Sequence, residues 1–126
     1  MKKNKRIMVD MTCSILHHGH IRLLKKASKL GQVIVALTND KEAIKYKKIN
    51  LFLNFNERKE ILESIKYVTK VIKSKSLITE KFLKANKIDF LVHGSDNSNP
   101  VNPKYLKIFK RTKKISSSFI RKIIRK

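Results

Sequence analysis

Apolar residues fall in short blocks separated by charged or turn-forming residues. Residues 6–10 carry Ile7, Met8 and Val9 and read as a short strand. Residues 11–20 form a polar turn that ends in His17-His18-Gly19-His20. From 19 to 30, Ile21, Leu23, Leu24, Ala27 and Leu30 keep the spacing of one helical face, and Gly31 supplies a stop. Residues 33–37 are an unbroken apolar run, the pattern of a strand buried on both faces. Strand, helix and strand in succession make a βαβ unit.

The rhythm continues along the chain. Residues 40–46 read as a short helix and 47–55 as irregular. Asn56 caps a helix running to about Tyr67, with Ile61, Leu62, Ile65 and Val68 on its apolar side. Residues 70–73 form a third strand, 77–85 a helix and 89–92 a fourth strand, followed by the turn His93-Gly94-Ser95-Asp96. A loop at 97–103, a fifth strand within 105–110 and a terminal helix at 116–125 complete the pattern. The expected fold is α/β: a Rossmann-like three-layer sandwich around a central parallel sheet of about five strands, in one domain over residues 1–126.

Composition narrows the class. The chain has 126 residues, too few for two ordinary domains. Its longest wholly apolar run, 33–37, is far short of the ~20 residues of a membrane-spanning helix. The basic start leads into no signal-like apolar segment, so a cytoplasmic location is expected. Cys13 is alone, which excludes a disulfide framework. Lysine and arginine total 31 against 9 acidic residues, a net charge of +22. That charge raises the question of nucleic acid. Lysine, however, outnumbers arginine 25 to 6 and is spread from Lys2 to Lys126. Base-reading proteins favour clustered arginine, so the dispersed lysines fit solvated positions better, and nucleic acid is not the expected partner.

Four segments at predicted strand or helix ends carry candidate chemistry. His17 and His20 stand three apart at a helix start, where unpaired N–H groups and the positive dipole end favour anions. Gly19 lets a ligand approach the backbone. A metal pair or surface histidines are the alternatives, and no cysteine or carboxylate is spaced nearby to complete a metal shell. Near the end, Arg111-Thr112-Lys113-Lys114-Ile115-Ser116-Ser117-Ser118 offers a guanidinium fork and hydroxyls at a helix start, or simply a serine cap. Gly94-Ser95-Asp96 suits a ligand's sugar or base, or is a plain turn. Lys47 and Lys48, with Arg58 and Lys66, form a polyphosphate clamp or belong to the general surface lysine.

Together these segments resemble the cytidylyltransferases of the small nucleotidylyltransferase superfamily, whose compact members act on glycerol 3-phosphate. The resemblance runs from about Arg6 to Arg121, carried by residues 12–20, 54–68 (NFNERKEILESIKYV), 89–96 (DFLVHGSD) and 111–118 (RTKKISSS). It implies transfer of CMP from CTP, with Mg2+, to a small phosphate- or phosphonate-bearing acceptor. Glycerol 3-phosphate comes first; phosphoethanolamine, phosphocholine and 2-aminoethylphosphonate are the alternatives. The product is CDP-linked, pyrophosphate leaves, and surface-polymer (capsule or teichoic acid) or lipid head-group synthesis is served. It implies His17, His20 and Arg111 as the catalytic residues. Thr12, Cys13, Gly19, Lys48, Lys66, Gly94, Asp96, Thr112, Ser116 and Ser117 would hold the nucleotide and its phosphates. Asp10, Ser14, Lys47 and Arg58 would stand on the acceptor side. No residue is assigned as a metal ligand, and the resemblance implies a homodimer.

The chain departs from the family pattern in two motifs, and its loop from Asp96 to Arg111 is short. The family's Gly-Thr-Phe-Asp is Met11-Thr12-Cys13-Ser14 here, losing an aspartate for which Asp10 is the nearest substitute. Its Gly-Asp-Asp-Trp turn is Gly94-Ser95-Asp96-Asn97. Cys13 reads as a small buried thiol, since this chemistry needs no nucleophilic residue. An ATP-dependent relative, and a catalytically weak nucleotide- or nucleic-acid-binding protein, are the competing readings.

Overall fold

A computed structural model describes residues 5–47, 51–94 and 99–109. Its elements follow the expected alternation: β1 (Arg6–Met11), α1 (His18–Ser28), β2 (Gln32–Thr38), α2 (Asp40–Lys47), α3 (Phe55–Glu63), β3 (Lys70–Ser74), α4 (Glu80–Ala85), β4 (Phe90–Gly94) and β5 (Leu106–Phe109), with a single 3-10 turn (Pro103–Tyr105) before the last. The strands form one sheet in the order β3-β2-β1-β4-β5, and every pairing is parallel. Chain order reverses between β1 and β4. In open α/β sheets that reversal opens a crevice at the carboxyl ends of the two strands, where ligands bind.

Strand alternation divides the core into two faces. Ile7, Val9 and Met11 of β1 and Val33, Val35 and Leu37 of β2 pack with Leu24 and Ala27 of α1 and Leu62 of α3. Met8, Ile34 and Ala36 point the other way, to Ile78, Leu83, Leu91 and Val101. Both faces of β1 and β2 are therefore buried, which is why residues 33–37 carry no polar residue. Three layers result, as expected, with α1 and α3 against one face and α4 against the other.

Several boundaries differ from the sequence reading. The third helix is capped by Asn54, not Asn56. The Asn54 side chain accepts the Glu57 N–H, while the Glu57 carboxylate accepts the Asn54 N–H, each at 2.9 Å. The helix also ends at Glu63, so Ile65 and Val68 reach the core from a turn rather than from a helical face. Helix α4 begins only after its cap, Thr79. The expected terminal helix at 116–125 lies outside the described residues.

Gly31 is not the helix stop, since Lys29 caps α1. Its role is close approach: a Cβ built there would lie 2.5 Å from the carbonyl oxygen of Lys5, the same oxygen that accepts the Gln32 N–H. Gly31→Ala must displace that backbone at the start of β1 and β2. The expected cost is ~1–3 kcal/mol, read as a lower urea midpoint at unchanged slope.

Candidate functional site

The connection from β1 to α1 runs over the carboxyl end of the central strand, at the reversal point of the sheet. Two histidines shape its far end. His17 is the N-cap of α1, and its Nδ1 accepts the Gly19 N–H at 3.0 Å. The His17 N–H donates to Nδ1 of His20 at 3.2 Å. Histidine here plays both parts of a capping box. The rings lie 4.0 Å apart between centroids, tilted by 35°.

This geometry fixes the tautomers. A ring nitrogen that accepts a backbone N–H carries no proton, so each neutral imidazole bears its proton on Nε2. Burial, followed by the charge of His18, lowers the pKa of His17 below its usual 6.5. Burial, followed by the charge of His17, pushes His20 down to about 4. Protonating either Nδ1 would also break a cap. At neutral pH the pair is uncharged and presents two Nε2–H donors at the positive end of the helix.

Linkage gives a stability prediction. The unfolded chain protonates His20 near pH 6.5 and the native protein only near 4. Native stability is therefore undiminished by this group above 6.5 and falls progressively as pH drops to about 4. The loss is at most ~3 kcal/mol, and less after solvent screening. Urea midpoints between pH 7 and pH 4 should decline for the native protein and decline less for His20→Gln.

The near end of the connection is held by buried polar groups. Arg58 of α3 is 1% exposed. Its Nη1 donates to the Thr12 carbonyl and its Nη2 to Oδ1 of Asp40, each at 2.6 Å. Nε of Arg58 is buried and has no partner among the described residues. Thr38, the last residue of β2, donates its hydroxyl to the Met11 carbonyl at 3.3 Å. Cys13 adopts the left-handed region at φ 51, so the chain turns sharply there. Its thiol is buried in the first core face and pushed up to about 12 by that burial, against the pull of Arg58.

These placements correct three expectations. Arg58 is not an exposed acceptor cation, because its side chain is buried and spent on Thr12 and Asp40. The Cys13 side chain faces the core, so only its backbone can meet a phosphate. Lys66 is not brought to this end of the sheet. Helix α3 runs from Arg58, at the carboxyl ends, to Leu62, which packs with Ile7 and Val33. Lys66 follows it, three residues before Thr69, whose N–H bonds Val33 at the start of β2. Its ammonium lies 5.3 Å from the Tyr67 ring centroid.

Thr12, Ser14 and His17 lie on one connection, with Asp10 near the end of the strand before it, Gly19 and His20 in the first turn of the helix after it, and Ser14 buried. Gly94 ends β4, two residues beyond Val92, the partner of Val9, and so stands at the same crevice. Lys47 ends α2. Lys48, Asp96, Arg111, Thr112, Ser116 and Ser117 lie outside the described residues. Sequence reasoning missed Thr38, Asp40 and Asn99. Asp40 could be read only as a helix start, and Asn99 acts through Asp10, 89 residues away. No three His, Cys, Asp or Glu residues cluster as a metal site among the described residues.

Comparison with known proteins gives a consistent picture. The Cytidylyltransferase-like family model matches residues 12–123. A glycerol-3-phosphate cytidylyltransferase from Staphylococcus aureus (strain NCTC 8325 / PS 47) is 44% identical over 73 residues, 56% of this chain and 54% of that protein. The chain therefore matches about half the length of that relative. One of the same name from Bacillus subtilis (strain 168) is 34% identical over 93 residues, 73% of this chain and 72% of that protein. Proteins named FAD synthase also match. The crystal structure of a lipopolysaccharide core biosynthesis protein from Thermoplasma volcanium GSS1 superposes with a TM-score of 0.66 at 23% identity, covering 96% of this chain and 86% of that one, a likeness of fold.

Proposed function

Because the chain belongs to the cytidylyltransferase-like family, we propose that it transfers CMP from CTP to the phosphate of a small phosphorylated alcohol, with glycerol 3-phosphate first among acceptors. The observation that carries this reading is the His17–His20 pair, whose two neutral rings are held by backbone bonds with Nε2–H directed away from them. An oxygen of the acceptor phosphate attacks the α-phosphorus of CTP. The new P–O bond forms as the bond to the bridging oxygen breaks, and pyrophosphate leaves with that electron pair. The nucleophile is already an anion, so no side chain has to remove a proton. The protein's task is positioning and charge stabilisation. Here the two Nε2–H groups donate to phosphate oxygens at the positive end of α1, and Arg58 holds the Thr12–Cys13 turn.

The described residues do not make a resident magnesium site. Asp40 is paired with Arg58, Asp10 accepts from Asn99, and Ser14 stands where the family has aspartate. Mg2+ therefore enters this proposal only as part of the Mg–CTP substrate, and no step is routed through it. In this proposal Arg111, Thr112, Ser116 and Ser117 complete the phosphate cradle, and Lys47 or Lys48 binds the triphosphate or the acceptor phosphate. A homodimer in the cytoplasm, serving surface-polymer or lipid head-group synthesis, belongs to the same proposal.

The matches to FAD synthases favour one competing reading, adenylyl transfer from ATP. Pyrophosphate release separates the two. CTP and ATP are each offered with glycerol 3-phosphate, phosphoethanolamine, phosphocholine, 2-aminoethylphosphonate and polyol phosphates. The proposal expects turnover with CTP at least tenfold above ATP for one of these acceptors. Preference for ATP would establish the alternative. Absence of turnover, with equal thermal stabilisation by every polyanion, would mark a binding protein instead.

A further inference from the structure

The connection after β1 is gripped from one face of the sheet by Arg58, and a second grip lies on the other face. Asp10 shares the side of Met8, which packs with Ile78 and Val101. Asn99 lies between them, 9% exposed. Its Nδ2 donates to Oδ2 of Asp10 at 3.1 Å, and its Oδ1 accepts the Ile78 N–H at 2.7 Å. One amide thus joins three separate segments: the last residues of β1, the connection between β3 and α4, and the chain returning toward β5. Asparagine suits the place because its amide donates to a carboxylate while its carbonyl accepts from a backbone N–H. Aspartate cannot donate, and leucine would leave the Ile78 N–H unpaired in the core.

We propose that Asn99 is a positioning residue for the nucleotide site, fixing Asp10 and so the start of the Thr12–His20 connection from the face opposite Arg58. The inference rests on the cytidylyltransferase reading. Asp10 stands one residue before Met11, whose carbonyl is held by Thr38, and two before Thr12, whose carbonyl is held by Arg58. With Asn99 in place, the strand end cannot rock about the sheet plane. The phosphate-binding backbone then keeps one geometry through the transition state, where small displacements are costly.

Reversing the pair tests this. Asn99→Asp sets two carboxylates against each other and should lower kcat/KM for CTP 10- to 100-fold. Asp10→Asn keeps an acceptor for Asn99 and is the reference against which the double variant is read. Asp10→Asn combined with Asn99→Asp restores one donor and one acceptor in reverse and should recover activity to within about 5-fold of Asp10→Asn alone. All proteins are assayed well below their own melting temperatures, so that loss of folded protein does not enter. Should Asn99→Asp not fold, Asn99→Ala is read the same way. Native-like kcat/KM in either single variant at position 99, or a double variant as poor as Asn99→Asp, overturns the proposal, even if the melting temperature falls. If the native protein itself releases no pyrophosphate from CTP, the functional reading fails first; if it does and position 99 is indifferent, only this inference fails.

Discussion

His17→Asn should leave α1 capped and the protein folded, yet cost two to three orders of magnitude in CTP-dependent pyrophosphate release. Asparagine is among the best N-cap residues, and its side-chain oxygen can accept the Gly19 N–H that His17 Nδ1 now takes. What it cannot supply is the Nε2–H on the far side of the ring. Removing one preorganised donor to transition-state charge typically costs about 10²–10³ in kcat. His17→Ala should match that loss and add ~1 kcal/mol of instability from the missing cap. The contrast separates the two jobs of one side chain: melting temperature reports the cap, kcat the donor. His17→Asn with native kcat would show that the imidazole serves α1 alone.

A second large effect is expected at Asp40, and it should exceed the effect at its partner. Asp40→Ala leaves the Arg58 guanidinium buried, still bonded to Thr12 but without its counter-charge. Breaking a buried pair in this way typically costs ~3–5 kcal/mol. For a chain of this length that lowers the melting temperature by roughly 10–20 °C. Arg58→Met fills similar volume and strands no charge in the interior, because the Asp40 carboxylate is 41% exposed and can be hydrated. Its cost reduces to the unpaired Thr12 carbonyl, ~1–3 kcal/mol. The double variant should therefore sit near Arg58→Met and above Asp40→Ala. Equal losses in the two single variants would mean that the ion pair, not burial of the guanidinium, governs this corner.

The strands were legible because burial on both faces leaves an unmistakable trace: 7–9 and 33–37 carry no charge. So was the first helix, whose apolar spacing and histidine start point to one place. The N-cap of α3 is also written in the chain, as Asn54 followed three residues on by Glu57, although Asn56 offers a cap-forming residue two positions later. The burial of Arg58 is not legible in the sequence, for a physical reason. In a chain with 31 cations, a lysine or arginine is by default a surface residue, and only the fold brings Thr12 and Asp40 to this one. The same holds for Asn99, a loop residue in the sequence and a three-way joint in the fold. Local periodicity reports which face is buried. It is silent on polar pairs that long-range topology assembles, and the candidate site is made largely of such pairs.

Phosphorus NMR of the native protein with CTP, Mg2+ and glycerol 3-phosphate tests the central claim most directly. The account predicts free pyrophosphate and, in equal amount, a diphosphate diester with two coupled phosphorus signals, both nearly absent with His17→Asn. CTP and glycerol 3-phosphate signals that stay unchanged, or pyrophosphate that accumulates beside CMP with no new diester, would contradict it.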